Sequence, residues 1–321
     1  MANEKMQSVF YLVLLYVVLI SVIIVVHIKW EGVYSVVNDL ILNRFFTRST
    51  FQKLIDGKAD SLFSSTIRHC QIEPKGKSNE RIIGEIYRYL GRSYRNEYYY
   101  KNTLLNTLLL GRHKPTTTTA LTEVPVGKAK ADFILINGKA IVYEIKTQLD
   151  NLERLEHQIN EYYRAFRYVV VVTYPENYSI VEQYIKNPYV GIYVITKQGT
   201  ISKKLVREPQ EYIELLDKET IFHILRKTEY EYIIQQHCGR LPQTTAFKYY
   251  KACYAEFVKM FTPIQAQKEL ELVLKRRICI DPMLFSSIPK ELRFVAYFSD
   301  MKSVDYQHTA VFLNRISEEA S

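Results

Sequence analysis

The spacing of apolar positions changes from segment to segment along the chain, and the changes divide it into four regions. Residues 9–28, VFYLVLLYVVLISVIIVVHI, contain no Lys, Arg, Asp or Glu. About 20 apolar residues in a row is the length that spans a bilayer core. This run predicts a single-pass N-terminal membrane anchor within residues 1–30. It is longer than the apolar stretch of a cleaved signal peptide, and no small-residue cleavage site follows it. A buried hairpin or central helix of a soluble protein is the competing reading. Lys29, Arg44, Arg48 and Lys53 follow the run and Lys5 precedes it, which places the body of the chain in the cytoplasm, with a soluble cytoplasmic protein as the alternative.

Residues 31–95 read as a helical lead-in. Short apolar runs alternate with polar connectors up to a loop at Pro74–Ser78, and Ile82, Ile83, Ile86 and Leu90 then recur at helical spacing between Asn79 and Gly91. Asn96 is a suitable N-cap for a second helix that carries Tyr100, Leu104, Leu105 and Leu108 and stops at Gly111. Glu97 lies in its first turn, where a carboxylate suits the helix dipole.

The period then shortens to that of strands. Thr116–Val126, Ala129–Ile136 and Ala140–Thr147 are β-branched, apolar runs separated by turn signals at Val126-Gly127-Lys128 and Asn137-Gly138-Lys139. Asp150-Asn151-Leu152-Glu153 has the form of a capping box, so a helix is expected to open there. Its buried stripe is Leu152, Leu155, Ile159, Tyr162 and Phe166, and Arg154 and Gln158 share its polar face. Tyr168–Thr173 is unbroken in apolar character, as a central strand covered on both faces would be. A helix at Ser179–Lys186 and strands at Val190–Thr196 and Thr200–Val206 complete an α/β core with mixed pairing over residues 96–208. Beyond Pro209 the pattern is helical, chiefly over Glu219–Gln236 and Thr245–Arg277, which gives a C-terminal helical region at 209–321.

Composition narrows the class. With 321 residues, 47% hydrophobic, the chain can bury a substantial core and is not disordered. Its net charge of +9 is spread along the sequence, a balance suited to a phosphate-bearing partner. The 26 tyrosines add stacking faces as well as core volume. Cys70, Cys238, Cys253 and Cys279 have neither zinc-ligand nor disulfide-framework spacing, in keeping with a reducing compartment. Basic and aromatic residues interleave at Phe247-Lys248-Tyr249-Tyr250-Lys251, and bases cluster at Lys275-Arg276-Arg277. Either could line a nucleic-acid path, and a solvated helix face explains them equally well.

The candidate chemistry lies in the meander. Asp132 is on the second strand, and Glu144 and Lys146, two residues apart, share one face of the third. Two carboxylates and an ammonium at one point can hold a hard divalent cation, polarise a phosphodiester and serve an attacking water. The register decides whether they meet. A two-residue loop at Asn137-Gly138 would set Asp132 opposite Tyr143 and leave Glu144 on the far face. An odd-length loop, Asn137-Gly138-Lys139 with Asp132 opposite Glu144, or a bulge, is therefore predicted.

Ala131-Asp132-Phe133, Glu144-Ile145-Lys146 on the next strand, and Gln158 on the following helix, preceded by a helix bearing Glu97, resemble the core of the PD-(D/E)XK nuclease superfamily. The likeness covers about Asn96 to Thr173 and is nearest to the resolvase-like and uncharacterised bacterial branches, with Ala131 where the motif's name has proline. It implies a restriction-endonuclease-like α/β fold, a mixed central sheet flanked by helices, and a Mg²⁺-dependent nuclease, with Mn²⁺ as the alternative ion. The resemblance makes Asp132, Glu144 and the carbonyl of Ile145 the metal ligands. It gives Lys146 to the attacking water, Gln158 to phosphate or water, and Glu97 to the first-helix acid. Glu85 and Glu123 compete with Glu97 for that role, with Glu123 more readily read as a supporting acid of the first strand. Arg154 and Lys130 are candidate phosphate contacts. DNA is favoured over RNA as partner, and a homodimer is left open. The competing classes are a non-catalytic nucleic-acid-binding module on the same fold and a membrane-tethered adaptor.

Overall fold

In the computed structural model, residues 39–58 and 61–317 are described. The apolar run at 9–28, and the membrane anchor expected there, lie outside the described residues. Among the described residues, no helix is long and apolar enough to cross a membrane.

Six strands form one mixed sheet in chain order: β1 (Thr119–Val126), β2 (Ala129–Asn137), β3 (Lys139–Ile145), β4 (Tyr168–Thr173), β5 (Gly191–Ile195) and β6 (Ile201–Arg207). The first three are an antiparallel meander, β3, β4 and β5 run parallel, and β6 returns antiparallel. Parallel neighbours need a crossover. The helix α5 (Leu155–Tyr163, numbered in chain order with those below) supplies it between β3 and β4, and α6 (Tyr178–Tyr184) between β4 and β5. Val169, Val170, Val171 and Val172 are all buried, alternately in the two core layers, which explains the unbroken apolar character of β4.

One face of the sheet is covered by α1 (Arg48–Ile55), α2 (Ser61–His69), α3 (Asn79–Ser93) and α4 (Glu97–Leu104), together with α11 (Pro282–Ser286), α12 (Arg293–Tyr297) and α13 (Ser303–Asn314). Ile82, Ile86 and Leu90 of α3 meet Phe133, Leu135 and Tyr143 of the sheet in this layer, with Phe285, Val295 and Phe312 from the C-terminal helices. The lead-in and the end of the chain therefore complete one layer together. Asn79 Nδ2 donates to the Phe312 carbonyl at 3.0 Å, and Ser78 bridges Ile316. On the other face α5 packs with α7 (Lys218–Ile224), α8 (Lys227–Cys238), α9 (Ala246–Met260) and α10 (Pro263–Leu274), through Leu155, Ile159, Phe222, Phe257 and Leu270.

Two departures from the sequence pattern have local causes, and a third is a change of helix type. The Asp150 carboxylate accepts from the amide and hydroxyl of Thr147, both at 2.7 Å, and Asn151 Oδ1 accepts from the Glu153 amide, so these side chains fold the preceding turn and α5 begins only at Leu155. The expected helix at Glu219–Gln236 is two helices. Leu225 and Arg226 are extended, and the Glu229 side chain caps the Arg226 amide at 2.7 Å to start α8. The helix that opens the core, α4, runs on into a π-helical turn, Leu105–Leu110.

Candidate active site

The β2–β3 ladder pairs Asn137 with Lys139, Leu135 with Ile141 and Phe133 with Tyr143. Gly138 alone, at φ 71°, forms the tip. This is the odd-length register, and carried one step further it sets Asp132 opposite Glu144. Asp132 Oδ2 accepts from the Ile145 amide at 2.8 Å, so β3 holds the aspartate directly.

The strands are irregular at this level. In β1, Leu121 and Val124 enter the same core layer although three residues apart, and in β2 so do Ala131 and Ile134. Glu123, between the first pair, has φ 57°, a conformation that costs about 1 kcal/mol or more for a residue with a side chain. Its pairing with Asp132 is missing from an otherwise continuous β1–β2 register. The kink carries Glu123 out of the core layer, and one oxygen each of Glu97, Glu123 and Asp132 lie within 4.8 Å of one another.

Glu144, 1% exposed, is held at both oxygens. Lys146 Nζ lies 2.9 Å from Oε1, and the Tyr162 hydroxyl donates to Oε2 at 2.5 Å. Lys146 Nζ also donates to Gln158 Oε1 at 2.8 Å. Gln158 and Tyr162 are one helical turn apart on α5 and face the same strand, so this helix fixes both ends of the Glu144–Lys146 pair. Burial, then the neighbouring Glu144 carboxylate, hold the Tyr162 phenol far above its ordinary range, so it acts as a donor.

A cleft of about 560 Å³ opens over these groups, lined by Asp132, Glu144, Lys146 and Gln158 from the core and by Glu97 and Lys101 from α4. Burial and then Glu144 push the Asp132 carboxyl well above the carboxylate range, against the opposing Ile145 amide. Lys101 is buried, and although burial favours a neutral amine, Glu97 and Glu123 hold its pKa above the lysine value. Its Nζ is 2.5 Å from Glu97 Oε1 and also contacts Glu123, whose other oxygen meets Lys130. Four carboxylates thus face three ammonium groups.

Asp132, Glu144, Lys146, Gln158 and Glu97 are gathered here, and Ile145 lines the same cleft through a residue whose amide is engaged with Asp132. Of the competing first-helix acids, Glu123 joins Glu97, whereas Glu85 is elsewhere, 2.8 Å from Lys77. Lys130 pairs with Glu123, and Arg154 is exposed at the start of α5. Sequence reasoning missed the parts played by Lys101 and Tyr162. Both stand four residues beyond an identified site residue on the same helix, Glu97 and Gln158, and that spacing is the signal that could have found them. Among the basic clusters, Arg277 is not available to a ligand. Its guanidinium is taken by Glu229 at 2.6 and 2.7 Å and by the Ile224 carbonyl at 2.8 Å.

Residues 91–276, more than half of the chain, match the family described as bacteriophage P4 protein cII. The chain belongs to this family. No curated protein and no solved structure matches it. The span that matches the P4 cII family runs from the end of α3 to the end of α10, and so contains the whole sheet and every side chain of the acid–lysine group.

The donor set suits a hard cation. The oxygens of Glu97, Glu123 and Asp132 come from three separate elements, and no thiolate or imidazole stands among them, the ligand type that Mg²⁺ or Mn²⁺ takes. Asp132 is raised first by burial and then by Glu144, a condition that any added positive charge would relieve.

Proposed function

We propose that this member of the P4 cII family is a divalent-metal-dependent nuclease that hydrolyses DNA phosphodiester bonds on a PD-(D/E)XK-like core. The observation that carries the reading is the convergence of Asp132, Glu144, Lys146 and Gln158 on one open cleft, through the strand register that such a site requires. Asp132, with Glu97, Glu123 and Glu144 around it, would hold Mg²⁺, or Mn²⁺ in its place. The bound cation supplies Lewis acidity at the phosphate and favours ionisation of an attacking water.

The chain's own residues do the rest. Lys146 keeps its ammonium at the cleft between Glu144 and Gln158, where it can orient a water and offset charge growing on the phosphate. Tyr162 fixes the Glu144 carboxylate, which in turn fixes Lys146. Lys101 balances the acids on the α4 side. A tether at residues 9–28, with the nuclease body in the cytoplasm, belongs to the same proposal, as does pairing of two copies.

The second reading is a nucleic-acid-binding module without turnover. What favours it is the Lys101 ammonium set among the acids that would otherwise take the cation. Mg²⁺-dependent cleavage of single-stranded, duplex and branched DNA by the wild type and by Lys146→Ala separates the two. A loss of two orders of magnitude or more, about 3 kcal/mol of barrier, is expected in the variant. Equal activity of variant and wild type removes the assigned site, and no cleavage of any substrate selects the binding module.

A further inference from the structure

Beside the cleft, along the outer edge of the sheet, lies a second groove of about 400 Å³. Resting on the nuclease reading, we infer that it is the track for the sugar-phosphate backbone adjoining the scissile bond. Its floor is residues 121–125 of β1, an edge strand with no strand partner on this side among the described residues. Its walls carry cations from separate elements: Arg48 at the start of α1, and Arg226 between α7 and α8 with His223 close by.

Both arginines are exposed and neither forms an ion pair among the described residues. The Arg48 guanidinium carbon lies 5.5 Å from the centre of the Phe298 ring, a cation–π contact that engages the ring rather than a carboxylate. The break after Leu225 that exposes Arg226 is braced from beneath by Arg277, whose charge is already spent on Glu229. The acid in the groove is Glu123, and Lys101 and Lys130 neutralise it. The groove therefore presents two exposed guanidinium groups, Arg226 sharing the field of the Glu229 carboxylate that Arg277 binds, in the fork geometry that suits phosphate oxygens.

Continuity with the cleft comes through Glu123. Its residue lines the groove, while its carboxylate reaches the oxygens of Asp132 and Glu97. A strand whose phosphate lies at Asp132 would leave the cleft over this kink in β1 and pass between Arg48 and Arg226. A polypeptide strand added to the β1 edge is the other occupant such a floor could take, and it has no use for the two arginines.

Binding of a fluorescein-labelled oligothymidylate to the full chain, followed by anisotropy in EDTA across a salt series, tests the track. Arg48→Ala/Arg226→Ala is compared with Lys203→Ala/Lys204→Ala, which removes the same charge from exposed positions on β6 at the opposite edge. Loss of two phosphate contacts should make the log–log salt slope shallower by about 1.4 and weaken binding about tenfold near 100 mM salt. The β6 variant should keep the wild-type slope. Arg226→Ala alone, a change at an exposed loop position, should give about half the slope change and guards against an unfolded double variant. Equal slopes for wild type and both groove variants overturn the track, as do equal losses at the two edges or no binding by the wild type. Wild-type cleavage of single-stranded, duplex and branched DNA with Mg²⁺ is read separately. Its absence alongside a groove-dependent slope would sink the nuclease reading and leave the track standing.

Discussion

Asp132→Asn should make the metal-free protein more stable while removing its response to Mg²⁺. The amide is the same shape as the carboxylate, and its oxygen can still accept from the Ile145 amide, so the change removes charge and little else. Burial and Glu144 push the Asp132 pKa up to about 8 from an ordinary 3.8. In the unfolded chain the group ionises near its ordinary value, while the folded protein keeps the proton until the raised pKa is passed. Below pH 4 both states are protonated and the group costs nothing. Above that, wild-type stability falls as pH rises, and the penalty is complete once the folded pKa is exceeded. The full separation of the two pKa values would be worth about 6 kcal/mol. Water enters through the cleft and the neighbouring acids share the repulsion, so about 2 kcal/mol is the realistic share.

For a chain of this length 2 kcal/mol is about 3 °C in Tm. Melting followed by circular dichroism in EDTA should therefore show Asp132→Asn level with the wild type near pH 4 and about 3 °C higher at pH 8. Mg²⁺ at ten times its Kd should stabilise the wild type by about 1.4 kcal/mol, again about 2 °C, and leave the variant unmoved. A variant less stable than the wild type at pH 8 without metal, or an equal Mg²⁺ response in both proteins, refutes the electrostatic account of the cleft.

Tyr162→Phe takes the donor from a buried carboxylate oxygen and should cost about 2 kcal/mol by urea denaturation, with a smaller loss of cleavage than Lys146→Ala because Lys146 still holds the other oxygen. Tyr163→Phe is the control on the same helix. The Tyr163 hydroxyl is buried and has no hydrogen-bond partner among the described residues, so its removal should be neutral or stabilising by up to about 1 kcal/mol. Gly127→Ala should cost more than about 2 kcal/mol in the same assay. Gly127 has φ 56°, and a Cβ there would lie 1.8 Å from Glu161 Oε2, the oxygen that accepts from the Lys128 amide.

The sheet was legible because each of its strands carries a pattern that local chemistry enforces. The alternation of β2 and β3 and the all-apolar β4 are enough to fix the order of elements, whereas Asn137-Gly138 allowed two loop lengths and the odd register was expected only because the acid site requires it. Asp132, Glu144 and Lys146 were legible as residue types on neighbouring strands, and Gln158 through the resemblance. What was not legible depends on side chains meeting across the fold or on backbone departing from its period. Asp150 and Asn151 have capping chemistry, but Thr147 competes for the same carboxylate, and no spacing rule ranks the two. Glu123 looks like a regular strand residue, and only its left-handed backbone brings it to Asp132. The role of helices far apart in sequence, such as α3 and α13, in one core layer is a tertiary fact with no local signature.

The liabilities of the cleft also say why the two core layers are as large as they are. A kinked Glu123, a desolvated Asp132 and a buried Glu144–Lys146 pair each oppose folding, and a buried pair is at best weak support for stability. They are concentrated where the Glu123–Asp132 pairing is interrupted, while β4 and β5 at the centre of the sheet are buried on both faces. Stability held in the layers and strain held in the cleft is the division expected if the cleft is kept for binding charge rather than for folding. The arrangement predicts opposite signs for changes a few ångströms apart: neutralising Asp132 should raise the melting temperature, whereas removing Tyr162's hydroxyl, which only supports Glu144, should lower it. Were both to lower it, the cleft would be an ordinary buried ion-pair network.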